Sequence, residues 1–339
     1  MEKIDVVIAY VDMNDNEWRK TYNSFVLNTN IPNKQINSEI RFRDYGTLKA
    51  CLRSIEQYMS WINNVYLIVS SESQIPKWIN RNNVNIVYHE DIIPKEFLPT
   101  FNSNVIELHL HNIKNLSEKF IYFNDDMLLV DTNVIEDYFI NDKCVHFMTE
   151  APNTPIRKSD DFYRQKRHNS VVILHEMGYD VDTTKVYYNN HGPLPLLRSK
   201  LKELYDKLDV KKYITPFREI CNTSPELFTL YLQCNRKLIL LKNSSNRNSS
   251  CGWNKDGNYT SSSHKTLKQK LFGFNFIGLN SYCVNDVFRN SNISDMSFVV
   301  NEVEKLLIYR FPNVSKYENE TNNISQTIPE AGSERNTSI

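Results

Sequence analysis

The stretch Lys119-Phe-Ile-Tyr-Phe-Asn-Asp-Asp126 is an apolar run that ends in two adjacent acids. The apolar residues at 120–123 predict a short strand buried on both faces, as in a mostly parallel sheet. The carboxylates of Asp125 and Asp126 would repel each other in a dry site unless a cation lay between them, and a hard divalent cation is the usual solution. An acidic turn after a buried strand is the alternative, and these residues alone leave both interpretations open.

Short runs rich in β-branched and aromatic residues predict further strands at Ile4–Ala9, 65–70 and 84–88. Apolar residues recur at helical spacing over 48–59, and a second helical pattern at 104–115 precedes the 120–123 strand. This alternation predicts an α/β fold with an open, doubly wound, mostly parallel sheet. Such sheets bind ligands beyond the C-terminal ends of their strands, where 10–12 and 124–126 would lie.

The second half of the chain predicts a more helical structure. Leucines recur at helical spacing from Leu197 to Leu208, and Ser224-Pro225-Glu226 is a typical helix start, with a capping serine before the proline. We expect one domain over 1–315 that closes with a helix at 296–310, a helical subregion at about 190–240, a flexible loop at 243–263 and a disordered tail at 316–339.

The composition argues against several classes of protein. Lys and Arg number 40 and balance 40 Asp and Glu in 339 residues, so no net field favours nucleic acid. No window reaches the roughly 18 apolar residues that span a bilayer. The N-terminus enters a strand pattern without a secretion signal, and the six cysteines form no C-x-x-C pair, which is typical of thiols in a reducing compartment. We expect a cytoplasmic protein, and peripheral contact with the inner face of the membrane stays open.

Two polar segments in the first 50 residues are candidates for a binding site. Asp12, at the end of the first predicted strand, could hold a base or ribose hydroxyl, join a metal site or lie in a solvated turn. Arg41 or Arg43 could bind a phosphate, because a guanidinium group matches phosphate oxygens in a bidentate fork. Asp44 is placed to cap the following helix or to pair with an arginine.

Further candidates lie beside the predicted helices. Asn102 and Ser103 are natural caps for the helix that follows them, and a helix N-terminus can also bind anions. His109 and His111 look like a metal pair, but residues two apart on a helix do not share a face, so we discount them as ligands. His191 lies in a segment rich in Gly and Pro, where an exposed imidazole could act as a general base.

Four blocks of the sequence, taken together, resemble the Stealth family of hexose-1-phosphate transferases, which includes bacterial capsule polymerases and the lysosomal-enzyme GlcNAc-1-phosphotransferase. The blocks occur in the family's order. They are Ile4 to Trp18; Arg41-Phe-Arg-Asp44 and Leu52-Arg-Ser-Ile55 through Leu98-Pro-Thr-Phe-Asn-Ser103 to Asp126; His191-Gly-Pro193 past Arg218; and Cys283-Val-Asn-Asp286. Tyr45 departs from the pattern, because the family usually has Asn after the Asp.

The resemblance implies a catalytic domain with an open sheet like that of GT-A-type nucleotide-sugar transferases. It implies that a UDP-hexose, with UDP-GlcNAc as the first choice, gives hexose-1-phosphate to a hydroxyl of a glycan acceptor and releases UMP. Mg²⁺ or Mn²⁺ would bind the diphosphate. In this scheme Asp125, Asp126 and Asp286 bind the metal, so that Asp126 also belongs to the catalytic centre, while His191 is the base and Arg218 stabilises charge.

The resemblance also implies a nucleotide site and a setting. The nucleotide site would be formed by Asp12, Arg41, Asp44, Asn102 and Ser103. The setting would be the synthesis of capsular or other surface polysaccharide, with peripheral association with the membrane-bound assembly machinery. Two rivals stay open: an ordinary UDP-sugar glycosyltransferase, which attacks the anomeric carbon and releases UDP, and a non-catalytic module that binds a sugar nucleotide or glycan.

Overall fold

The computed structural model describes residues 2–28, 39–150, 158, 161–182, 187–189, 192–242, 248–250, 280–284 and 293–319. His191, Asp286 and most of the predicted loop at 243–263 lie outside these residues.

Strands and helices alternate through the first part of the chain. The strands are β1 Ile4–Ala9, β2 Val65–Val69, β3 Asn85–Tyr88, β4 Lys119–Asn124, β5 Met127–Leu129, β6 Phe139–Ile140, β7 Lys143–Glu150, β8 Tyr187–Asn189, β9 Leu194–Leu197, β10 Leu238–Lys242, β11 Asn248–Ser250 and β12 Ser281–Cys283. The helices are α1 Asn16–Asn28, α2 Thr47–Tyr58, α3 His89–Ile92, α4 Ser103–His109, α5 Phe162–Glu176, α6 Arg198–Lys207, α7 Glu226–Cys234 and α8 Ile293–Arg310.

A five-stranded sheet forms the centre of the fold. Its order is β3-β2-β1-β4-β9, in which the first four strands run parallel and β9 runs antiparallel to β4. The residues of β1, β2 and β4 are almost entirely buried, which is why these strands read as continuous apolar runs rather than alternating ones. The predicted α/β fold with a mostly parallel sheet is therefore confirmed.

Two smaller sheets complete the described strands. In one of them, β7 lies between β10 and β6 and also pairs with β8. In the other, β12 pairs antiparallel with β5 and parallel with β11. Since β5 follows β4 directly, β12 is held beside the acidic turn that joins those two strands.

For each of the four predicted strands, the predicted and observed ends differ by at most one residue. The helix predicted at 104–115 is shorter than expected, because α4 ends at His109 and the chain continues as a 3₁₀ turn over Leu110–Asn112. Asn115 then adopts a positive φ of 63°, which redirects the chain towards β4. Helix α5 was not predicted at all.

The order of the central sheet reverses at β1, which pairs with β2 on one side and β4 on the other. Open α/β sheets bind ligands in the crevice beyond the strand ends at such a point. Ala9 and Asn124 are register partners at the ends of β1 and β4. The segment after β1 and the turn after β4 therefore emerge at the same edge of the sheet.

The end of the described chain packs against α2 and the 77–83 segment. Tyr317 and Glu318 are buried, and Ile79 forms an isolated antiparallel bridge with Glu318. Folded contacts thus continue a few residues beyond 315, and 320–339 lie outside the described residues. Among the residues that the structure describes, no helix is both long enough and apolar enough to cross a membrane.

Candidate active site

A cavity of about 490 Å³ opens beyond the ends of β1 and β4. Its size lies within the range of small-molecule sites, roughly 300 to 1,000 Å³. Acidic and basic side chains line it together. We call Asn124, Asp125 and Asp126 the acidic wall, and Arg41, Arg43, Lys166, Arg167 and Arg218 the basic wall.

The acidic wall is the turn between β4 and β5. The backbone carbonyl of Asp126 accepts a hydrogen bond from the Val284 amide at 2.8 Å, and its carboxylate Oδ2 accepts one from the Cys283 thiol at 3.2 Å. Tyr122 donates its hydroxyl to Asn124 Oδ1 at 3.0 Å. These contacts hold the acids at the cavity through β12 as well as through β4.

The acidic wall is electrostatically unfavourable while both acids are ionised. Burial raises the pKa of Asp125 well above its usual range, and the negative charges of Asp126, Asp44 and Asp12 raise it further. A divalent cation would relieve this repulsion. The carboxylates of Asp126, Asp44 and Asp12 thus lie close enough to Asp125 to act on its charge.

The described residues supply only part of a metal shell. Within them, no group of three or more His, Cys, Asp or Glu side chains converges on one point. Asp286, the third predicted ligand, lies outside the described residues. Mg²⁺ is often held by one or two carboxylates together with substrate phosphates, and the adjacent Asp125 and Asp126 fit that requirement.

The basic wall is assembled from three distant parts of the chain. Arg41 and Arg43 precede α2, Lys166 and Arg167 lie on α5, and Arg218 lies in the loop before α7. Short polar contacts hold several of these groups. Arg218 Nη2 donates to Ser103 Oγ at 3.0 Å, Arg41 Nη2 donates to the Tyr163 hydroxyl at 3.0 Å, and Arg167 Nε pairs with Glu226 at 3.2 Å.

Glu107 is a buried carboxyl group that faces the basic wall from α4. Burial raises its pKa, although the nearby positive charges of Lys166 and Arg218 oppose that rise. Burial likewise lowers the pKa of Lys166 to about 8, and the repulsion of Arg218 adds to this effect. One buried acid thus partly offsets the cations that surround it.

Buried asparagines fix the loop that carries Arg218. Asn222 donates to the Tyr213 carbonyl at 3.1 Å and to Thr215 Oγ1 at 2.8 Å, and its Oδ1 accepts from the Glu219 amide at 2.8 Å. Asn102 joins this network by donating to Asn222 Oδ1 at 3.0 Å. The position of Arg218 is therefore set by amide side chains rather than by a helix or strand.

Some of the predicted site residues line the cavity, and others do not. Asp125, Asp126, Arg41, Ser103 and Arg218 all line the cavity.

Asp12, Asp44 and Asn102 are not among the lining residues, and each has a local structural contact. Asp12 forms an Asx turn by accepting from the Asn14 amide, while Asp44 accepts from the amides of Gly46 and Thr47 at the start of α2. Asn102 caps α4 by accepting from the Asn104 amide.

His191 and Asp286 lie outside the described residues, so their roles stay predictions. Their described neighbours Gly192 and Val284 line the cavity.

The histidines discounted as metal ligands have other contacts. His109 approaches the Val105 carbonyl and the Tyr205 hydroxyl, and His111 packs against the same Tyr205 ring at a centroid distance of 4.7 Å. Both histidines reach one ring, contrary to the helical expectation, because the chain leaves α-helical geometry after His109.

Sequence reasoning missed Glu107, Asn104 and Lys166 as cavity residues. Glu107 lies four positions after Ser103, so the two share a face of α4, and that spacing could have revealed it. No local signal marks Lys166, because its place in the cavity depends on how α5 packs against the rest of the fold.

Parts of the chain are similar to a known protein family and to individual proteins. Residues 41–147 match Stealth protein CR2, conserved region 2. The capsular polysaccharide phosphotransferase LcbA of Neisseria meningitidis is 41% identical over 225 residues, which cover 62% of this chain and 59% of that protein. The capsular polysaccharide phosphotransferase WcwK of Streptococcus pneumoniae is 43% identical over 143 residues, or 42% of each chain. The aligned part thus spans about half the length of these relatives.

The chain was also compared with solved structures. The galactosyltransferase LgtC, solved in complex with donor and acceptor sugar analogues, aligns over 96% of this chain and 98% of its own, with 11% identity and a TM-score of 0.38. That score is too low to support an inference. The matched conserved region contains the 41–44 segment, α4 and the acidic turn, which contribute part of the cavity lining. The matching relatives are 33% to 44% identical to this chain, and its residues 41–147 are similar to conserved region 2 of the Stealth family.

Proposed function

We propose that the protein is an enzyme that transfers hexose-1-phosphate from a UDP-hexose to a sugar hydroxyl, forming a phosphodiester and releasing UMP. The main support is that a single cavity is lined by two adjacent carboxylates and by five cationic side chains. A nucleotide-sugar diphosphate matches both walls, because a bridging cation would join it to the acids while guanidinium and ammonium groups bind its remaining oxygens.

The named relatives support the setting of this reaction. Both LcbA and WcwK are described as capsular polysaccharide phosphotransferases. We propose that this chain likewise acts in the synthesis of capsular or other surface polysaccharide, with UDP-GlcNAc as the first donor to test. The acceptor would be a glycan, and the enzyme would work on the cytoplasmic side at the membrane assembly machinery.

The metal assignment follows from the chemistry of the acidic wall. Asp125 and Asp126, with Asp286, would hold Mg²⁺ or Mn²⁺. A bound cation would neutralise charge on the diphosphate and draw electron density from the reacting phosphorus.

In the proposed reaction, the oxygen of the acceptor hydroxyl forms a bond to the phosphorus that carries the hexose. The bond from that phosphorus to the UMP oxygen breaks, and UMP leaves with the bonding electrons. His191 would take the hydroxyl proton, because an imidazole with a pKa of about 6.5 suits proton removal near neutrality. Arg218, held by Ser103, would stabilise negative charge on the phosphoryl oxygens. The anomeric carbon takes no part, so its configuration would be retained.

The decisive test is the identity of the nucleotide released. The protein is incubated with UDP-GlcNAc, Mg²⁺ and a pool of glycan acceptors, and the nucleotides are separated by chromatography. UMP that disappears when the cation is chelated would support the proposal, whereas UDP would identify an ordinary glycosyltransferase. If no UDP-sugar in a panel is turned over, a binding titration with the same panel separates a binding module from an enzyme with another donor.

His191 has its own test. Replacing it with Ala should abolish transfer and leave donor binding, measured by calorimetry, nearly unchanged, because a base contacts the acceptor rather than the nucleotide. Loss of donor binding would instead make His191 a structural residue or a donor contact.

A further inference from the structure

Lys166 is the most deeply buried cation of the cavity. Its side chain lines the cavity although only 6% of the residue is exposed. The residue lies on α5, beyond the matched conserved region at 41–147. A lysine is rarely buried to this extent without a charged partner.

The described contacts of Lys166 do not supply such a partner. Its ammonium group donates one hydrogen bond to the neutral Asn104 Oδ1 and lies 5.2 Å from the centre of the Phe162 ring. No carboxylate among the described residues forms an ion pair with it. Glu107 and Glu226 contribute attraction through space, and the Glu107 carboxylate accepts its hydrogen bond from Asn104 Nδ2 at 3.2 Å. An ammonium group has three donors, so its capacity is not filled by these contacts.

Arg41, from another part of the chain, also has a hydrogen-bond donor that no described residue satisfies. Its Nη2 donates to Tyr163, but its Nε is buried and has no hydrogen-bond partner within the described residues. Buried donors without partners cost free energy, and clustered cations repel each other. An anion in the cavity would satisfy both groups at once.

We propose that the Lys166 ammonium is a direct ligand of phosphate oxygens bound in the cavity, acting with Arg41, which also lines it. This assignment rests on the proposed use of the cavity by a phosphate-bearing donor. In this arrangement the acids bind the phosphate oxygens through a cation, and Lys166 binds them directly. The side-chain carbonyl of Asn104 orients the ammonium group. The negative charge of Glu107 offsets part of the repulsion among the cations before the ligand binds.

The test uses inorganic pyrophosphate as the probe, with a chelator present so that the acidic wall cannot contribute through a metal. Calorimetry at pH 7 compares the wild-type protein with Lys166→Met and Lys166→Arg. We expect Lys166→Met to weaken binding about tenfold or more, because a charge-assisted hydrogen bond is lost. Lys166→Arg should retain part of the affinity, because it retains the charge. Lys202→Met is the matched control, since Lys202 is an exposed helical lysine paired with Asp206.

Binding by Lys166→Met within about twofold of wild type would overturn the proposal, as would a wild-type protein that does not bind pyrophosphate. If Lys166→Met does not fold, chemical labelling of lysines in the wild-type protein tests the proposal instead. Saturating pyrophosphate should protect Lys166, but not Lys202, from acetylation with acetic anhydride, as measured by peptide mass spectrometry. Equal labelling of Lys166 with and without pyrophosphate would overturn the proposal. These measurements need no turnover, so they can fail while UMP release succeeds, or the reverse.

Discussion

At the scale of single residues, the buried acids of the turn between β4 and β5 oppose stability while they are ionised. Asp125 has a raised pKa because it is buried beside Asp126, Asp44 and Asp12. A carboxyl group whose pKa is higher in the folded than in the unfolded protein binds its proton more tightly when folded. Its contribution therefore favours folding at low pH and is lost as the pH rises through the raised pKa.

Replacing Asp125 with Asn should consequently stabilise the metal-free protein while removing its activity. In the presence of a chelator at pH 8, we expect the thermal midpoint to rise by about 2 to 4 °C, and transfer to fall by about a thousandfold. Added Mg²⁺ should stabilise the wild type and not the variant. Asp206→Asn, which removes an exposed acid paired with Lys202, is the control and should change neither property. A lower midpoint for Asp125→Asn would contradict this account of the turn.

At the scale of elements, the loop that carries Arg218 depends on buried amides. Asn222 is fully buried and both donates to and accepts from other parts of the loop. Asn102 ties that network to the start of α4, which also carries the Ser103 partner of Arg218. The loop and α4 therefore position Arg218 together.

Asn222→Ala should leave several polar groups of the loop without partners. We expect a loss of about 2 to 4 kcal/mol in the free energy of unfolding, measured by urea titration. Transfer by the folded fraction should fall at least about tenfold, because Arg218 loses its support. Asn235→Ala is the control, since Asn235 bonds only the end of α7 through Tyr231 and a weak contact to Tyr179. Normal transfer by a destabilised Asn222→Ala would show that the network serves stability alone.

The last described segment is tied to α2 by a buried ion pair. Arg53 on α2 forms two hydrogen bonds of 2.8 Å with the carboxylate of Glu318. Burial raises the pKa of Glu318, but hydrogen bonds from Arg53 and Ser315 outweigh it, and the pKa is lowered overall. The ionised acid is thus favoured in the folded protein.

Glu318→Ala would leave the Arg53 guanidinium buried without its carboxylate. We expect the free energy of unfolding to fall by about 3 kcal/mol at pH 7 and by less as the acid becomes protonated at low pH. Transfer per folded molecule should not change. Glu302→Ala, which removes an exposed pair with Lys305, is the control for urea unfolding. A change below about 0.5 kcal/mol would mean that the segment contributes little to stability.

At the scale of the whole molecule, buried histidines should make the fold sensitive to acid. Burial lowers the pKa of His89, His111 and His146 to about 4. His146 lies between two sheets, with Nε2 at 2.8 Å from the Pro195 carbonyl and Nδ1 at 3.0 Å from Thr229 Oγ1. A histidine that is neutral when folded binds more protons when unfolded, so stability should fall as the pH drops from about 6.5 towards 4.

The expected decline is at most about 1.4 kcal/mol per pH unit for each buried histidine. Urea unfolding between pH 7 and pH 4.5 measures it. His146→Gln can still donate to the Pro195 carbonyl. It should reduce the loss of unfolding free energy per pH unit by up to the contribution of one histidine. His175→Gln, on an exposed position of α5, should leave it unchanged. An unchanged slope in His146→Gln would exclude His146 as a source of acid sensitivity.

The sequence by itself predicted the four parallel strands of the central sheet and their acidic edge, but not the antiparallel strand β9. Apolar runs such as Ile4–Ala9 and 120–123 are typical of strands buried on both faces, and parallel strands bring their C-terminal ends to one edge. Local signals therefore predicted Asp125, Asp126 and the phosphate-binding potential of Arg41, because each depends on its own strand or segment.

Only the tertiary structure decided the basic wall. Lys166 and Arg218 come from a helix and a loop whose local sequences give no sign of a shared cavity. Their meeting with Glu107 depends on how α5 and the 213–222 loop pack against α4, and such contacts between distant segments follow no sequence period. The extent of α4 was likewise decided by the turn into β4, which ended the helix before its apolar pattern did.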